Sequence, residues 1–88
     1  MKKGFTASEK KQFKKHLDDV KNSLDSIIEF LREKHEKAED WAMERSLEWQ
    51  DSDKSIEFSD WLGELDYKTD EIEDLKSDFD LDNFDEIL

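Results

Sequence analysis

The chain is 88 residues long, carries 26 Asp/Glu against 14 Lys/Arg for a net charge of −12, and contains neither cysteine nor proline. That length allows one small domain, and the missing cysteines exclude disulfides and thiolate metal ligands, so self-association is the expected substitute for those staples. Strong acidity excludes DNA and anionic membrane as direct partners of the acidic part, since both would repel it.

Met1-Lys2-Lys3-Gly4-Phe5 has the charge of a signal peptide without an apolar run behind it, and no stretch approaches the ~20 apolar residues of a membrane span. A soluble, cytoplasmic protein is expected. Thr6 followed by Glu9 matches a capping box and places a helix start at Ala7. Phe13, Leu17, Val20, Leu24, Ile27, Ile28 and Leu31 then recur at steps of three and four, one face of a helix. The period continues more weakly through His35, Ala38, Trp41, Ala42, Arg45 and Trp49. This reads as a helix over about 7–50, with a break near residue 36, inside the charged run from Arg32 to Asp40, as the alternative.

Gln50-Asp51-Ser52-Asp53 offers short polar side chains that cap a new helix, giving a turn at 50–53. A second helix over about 53–76 carries Phe58, Trp61, Leu62, Leu65, Ile72, Leu75 and Phe79 on its apolar face, with Gly63 inside it marking a close helix contact or a kink. Residues 77–88 alternate acid with bulky apolar residues and read as an acidic tail. The fold class is all-α: a helical hairpin of coiled-coil type, or a three-helix bundle if residues 39–50 fold back, in a single domain over 1–88. A hairpin alone leaves apolar surface uncovered, so a homodimer is the expected state.

Charge is unevenly placed. Residues 1–37 hold ten Lys/Arg against seven Asp/Glu, and residues 38–88 hold four against nineteen. From Asp66 the acids fall four apart, at Asp70, Asp74, Asp78, Asp82 and Glu86, a spacing that makes like charges neighbours on a helix at a cost of about 0.2–0.5 kcal/mol per pair. If residues 69–88 are helical, their nine carboxylates span ~30 Å at ~1.5 Å per residue. That spacing approaches the one phosphate per ~3.4 Å of a DNA strand.

The segment Arg45-Ser46-Leu47-Glu48-Trp49-Gln50-Asp51-Ser52-Asp53-Lys54, followed by Phe58, Leu62 and Leu65, resembles a phrase of small acidic helical proteins of bacteriophages and prophages, approximately Arg-Ser-x-x-Trp-Gln-x-Ser-x-Lys-Gly. Ser55 stands where that phrase has glycine, and the likeness covers roughly residues 38–75. The resemblance implies a viral or mobile-element origin and no assigned activity. The same residues read structurally as Trp49 closing the core while Gln50 and Ser52 pin the turn.

Other constellations carry little. Asp78-x-Asp80-x-Asp82 opens like a calcium loop, but Asn83 stands where the loop needs glycine. His16 and His35 lack the spacing of a zinc helix, and there is no serine elbow or glycine-rich phosphate loop. No catalytic residue, metal or cofactor is assigned. Lys2, Lys3, Lys10, Lys11, Lys14 and Lys15 are expected to neutralise acids of the same or a neighbouring chain. The expected function is that of a small phage-type inhibitor, an anti-defence protein such as an anti-CRISPR, which mimics nucleic acid to occupy a basic host protein. Asp66, Asp70, Glu71, Glu73, Asp74, Asp78, Asp80, Asp82, Asp85 and Glu86 would supply the charge, and Phe79, Leu81 and Phe84 the apolar anchors. The alternative is a self-assembling coiled-coil or assembly protein.

Overall fold

A computed structural model describes residues 3–88; Lys2 of the basic cluster lies outside them. Helix α1 (Ala7–Met43) starts where the capping box places it: the Thr6 N–H donates to Glu9 Oε1 at 2.9 Å and the Glu9 N–H donates to Thr6 Oγ1 at 3.2 Å. The bond from the Thr6 N–H, with the Thr6 hydroxyl as the second cause, holds the Glu9 carboxyl below its ordinary pKa.

The alternative break near residue 36 does not occur, and α1 runs unbroken through the charged stretch. Glu, Lys, Arg and Ala are strong helix formers, and His35 Nδ1 lies 3.6 Å from the Glu39 carboxylate one turn on. The helix ends at Met43 rather than near residue 50. Arg45 turns back there, its Nε donating to the Trp41 carbonyl at 3.1 Å with the guanidinium 4.5 Å above the Trp41 ring. Ser46 caps the short helix α2 (Leu47–Gln50) by accepting from the Trp49 N–H at 3.2 Å. Gln50 Nε2 closes the bend on the Arg45 carbonyl at 2.9 Å. Ser52, the N-cap of helix α3 (Asp53–Ser77), donates its hydroxyl to the Trp49 carbonyl. With α2 only four residues long, no third full helix forms.

Helices α1 and α3 pack antiparallel, in a register fixed by the Trp41–Phe58 contact near the bend and the Asp25–Lys76 ion pair near the open end. The inward face of α3 alternates steps of three and four through Ser55, Phe58, Leu62, Leu65, Thr69, Ile72 and Lys76, each buried or half-buried, and half-buried Phe79 follows just past the helix end. Thr69 is the most enclosed of them, at 2% exposure, and its Oγ1 donates to the Leu65 carbonyl at 2.8 Å, so its burial leaves no polar atom unpaired. Gly63 is not a close contact, because a Cβ there would meet nothing within 4 Å. The apolar core is thin: among the described residues the buried hydrophobic ones are Leu17, Ile28 and Ala38.

Residues 77–88 are neither a helical continuation nor a free tail. Asn83 Nδ2 donates to the Ser77 carbonyl at 2.7 Å, taking a bond that a continuing helix would need. The chain then turns through a 3-10 segment at Leu81–Phe84 and lies along the start of α1. There Phe84 meets Phe13 edge to face at 5.1 Å, and Phe13 meets Phe5 at 5.7 Å. The Phe5 N–H donates to the Leu88 carbonyl at 3.1 Å. Gly4 makes this clasp possible, with φ at +88° and the Leu88 carbonyl oxygen only 2.8 Å from where a Cβ would stand. The molecule measures 70 × 18 × 14 Å.

Candidate acidic interaction surface

Adding two to an inward helix position turns by about 200°, onto the opposite face. Applied to α3, the inward heptad generates Glu57, Asp60, Glu64, Tyr67, Glu71, Asp74 and Asp78, all exposed. Only Tyr67 interrupts a stripe of carboxylates about 31 Å long at ~1.5 Å per residue. Lys68 touches this stripe, with Nζ 3.3 Å from Glu71 and 5.8 Å from the centre of the Tyr67 ring. The corresponding outward positions of α1 include Lys15, Asp19, Phe30, Glu33, Lys37 and Asp40, so that face has mixed charge. The acidity is concentrated on one long side of the molecule.

The residues singled out in the sequence divide into groups. Glu71, Asp74 and Asp78 lie on the outward stripe. Asp66, Asp70 and Glu73 sit around the flank beside Arg32, which donates to Glu73 and has its pKa raised by that bond, then by the charges of Glu73, Asp70 and Asp66. Asp80 is committed to Lys21, whose Nζ donates to it at 2.7 Å, and that bond is the main reason Lys21 holds its proton above the ordinary lysine range. Asp82, Asp85 and Glu86 are exposed on the returning segment, away from the α3 stripe. Phe79, Leu81 and Phe84 are half-buried, and Phe84 is packed on Phe13 rather than offered outward as an anchor.

The continuous row from Asp66 to Glu86 expected from the four-step spacing is therefore not formed. Helix α3 stops at Ser77, and a step of four overshoots one turn by about 40°, so the row winds off its face. Glu57, Asp60 and Glu64 were missed for the same reason. The signal that finds them is the alternating three–four spacing, counted from the apolar positions. Nor do the lysines of early α1 neutralise the stripe. The ion pairs between the two arms of the hairpin, among the described residues, are Lys21–Asp80, Arg32–Glu73 and Lys76–Asp25.

At the bend, Trp41, Trp49, Phe58 and Trp61 form a chain of aromatic contacts with centroids 5.2–5.8 Å apart. One side of this cluster opens into a shallow cleft of about 330 Å³, where Trp41, Phe58 and Trp61 meet Lys34 and Lys37. Among the described residues no helix is long and apolar enough to cross a membrane.

Comparison with protein-family models, with curated proteins and with solved structures finds no match.

Proposed function

We propose that this protein is a small, non-enzymatic inhibitor that uses the outward face of α3 to occupy the basic, nucleic-acid-binding groove of a host protein. One observation carries the reading: the carboxylates from Glu57 to Asp78 form an exposed stripe on the face turned away from α1. With Asp66, Asp70 and Glu73 on its edge, nine carboxylates fall within ~31 Å, one per ~3.5 Å, close to the ~3.4 Å phosphate spacing of one DNA strand. The face is held on a single helix, so the charges are presented without a large ordering cost on binding. A phage origin and an anti-defence role, of which an anti-CRISPR is one example, fit this chemistry; competition for the groove is the mechanism.

The test immobilises the chain, captures proteins from a bacterial lysate at 50 mM salt, and challenges them with duplex DNA. The expected result is release of basic, nucleic-acid-binding proteins by DNA and by 200 mM salt. Capture that DNA leaves undisturbed would overturn the reading.

A second reading, a self-assembling helical protein, is favoured by one different observation: Val20, Ile27, Trp41, Trp61 and Leu75 are partly exposed along one flank of the hairpin.

A further inference from the structure

The two flanks between α1 and α3 differ in kind. One is closed by the ion pairs Asp25–Lys76 and Arg32–Glu73. The other carries Val20, Ile27 and Trp41 from α1 and Trp61 and Leu75 from α3, each between 39% and 45% exposed. Its charged members include Lys34 and Lys37 on α1 and Glu64 and Glu71 on α3, so this flank has balanced charge in a strongly anionic molecule.

We propose that this flank is covered by a second copy of the chain, in a parallel two-fold dimer of hairpins whose symmetry axis runs along the long direction of the molecule. Area argues for a cover of this size. The chain exposes 7305 Å², whereas a folded monomer of 10.6 kDa is expected to expose ~5,500 Å². Hiding half of the ~1,800 Å² excess on each copy would bury about 1,800 Å² in total, within the range of a specific interface.

Register argues for a second copy rather than another protein. Within one chain, Trp41 and Trp61 line the same cleft, so they stand at one level. Moving one turn away from the bend reaches Lys37 on α1 and Glu64 on α3, and moving on reaches Ile27 and Leu75. A two-fold axis along the hairpin keeps every level and sets α1 of one copy against α3 of the other. Trp41 then meets the partner's Trp61, Lys37 meets the partner's Glu64, and Ile27 meets the partner's Leu75, each contact occurring twice. The flank is complementary to itself in both apolarity and charge. Glu64 and Glu71 border both this flank and the outward stripe, whereas Asp60, Asp74 and Asp78 stay free; sedimentation reads the dimer with no host protein present, so the dimer holds or fails separately from the inhibitor reading.

Sedimentation equilibrium of the full chain at 50 μM tests it. Wild type should sediment at twice 10.6 kDa. Lys37→Glu and Glu64→Lys should each weaken the dimer at least tenfold, and the double variant should restore it. Ile27→Asp should give a monomer with an unchanged helical circular dichroism spectrum. A monomeric wild type, a higher oligomer, or single charge variants that dimerise as wild type does would each overturn the proposal.

Discussion

Removing charge from the outward face of α3 should make the free protein more stable. Asp60 has Glu57 and Glu64 as helical neighbours, and Asp74 has Asp70, Glu71 and Asp78, so Asp60→Asn with Asp74→Asn relieves five like-charge contacts. At about 0.2–0.5 kcal/mol per contact, the gain is roughly 1–2.5 kcal/mol. No lysine of α1 is lost as a partner, since neither aspartate takes part in an ion pair across the hairpin. Asparagine and aspartate have similar helix propensity, so the backbone contributes little to the difference. For a domain of this size each kcal/mol moves the melting midpoint by about 4–8 °C, so the double variant should melt roughly 5–15 °C higher in low salt. Raising the salt to 1 M, where the Debye length is ~3 Å, should remove most of that gain. The assay is thermal unfolding followed by circular dichroism at both salt concentrations. A lower midpoint for the variant would refute the reasoning, because it would mean that these carboxylates stabilise the fold.

The remaining predictions concern the ends and the glycines. Thr6→Ala should cost about 1 kcal/mol through loss of the N-cap, read as a lower melting midpoint. Because the folded-state pKa of Glu9 is depressed, its contribution is present above the ordinary Glu pKa and is lost as pH falls through the lowered value. The midpoint gap between wild type and Glu9→Ala should therefore close in acid; a gap constant from pH 7 to pH 2 would contradict the capping geometry. Gly63→Ala should stabilise by about 0.8–1 kcal/mol, since the new methyl meets no neighbour and the helix gains propensity. Gly4→Ala should destabilise, since its φ is positive and Leu88 blocks the methyl; equal effects of the two glycine changes in thermal melts would be inconsistent with the structure. Phe84→Ala with Lys21→Ala should free the returning segment, seen as faster amide exchange at Asn83 and Ile87, with α3 protection retained.

The parts of this fold that could be read from sequence are those set by local chemistry. Thr6 and Glu9 place the start of α1, and Ser52 places the start of α3, because capping is a matter of residues three apart. Leu17, Ile28 and Ala38 lie on the stripe that the helical period marks, and so does the hairpin itself. The same period could not separate core from flank. Val20 and Ile27 match it as well as Leu17 does, yet they stay partly exposed because a single neighbouring helix covers only a narrow strip. Gln50 and Ser52 pin the second half of the bend as their sequence suggests, but its first half, just after Met43, escaped detection because no breaker residue marks it; Arg45 and Ser46 make it through bonds to Trp41 and Trp49. Residues 77–88 misled for a similar reason. Their acid–apolar alternation says nothing of Asn83 closing α3 or of Phe84 finding Phe13. The acidic surface was legible in composition and misplaced in detail, since a repeat of four follows a helix without staying on one face.

The central claim is that the outward carboxylates of α3 bind a basic groove in place of nucleic acid. Its most direct test is the affinity of a captured nucleic-acid-binding protein for two forms of the chain across 50, 100 and 200 mM salt. One form is wild type; the other carries Glu57→Gln, Asp60→Asn, Glu64→Gln, Glu71→Gln and Asp74→Asn together. Wild-type affinity should fall steeply with salt, and the five-fold variant should bind at least a hundredfold more weakly at 50 mM with a much flatter salt dependence. Equal affinity of the two forms, unchanged by salt, would contradict the account.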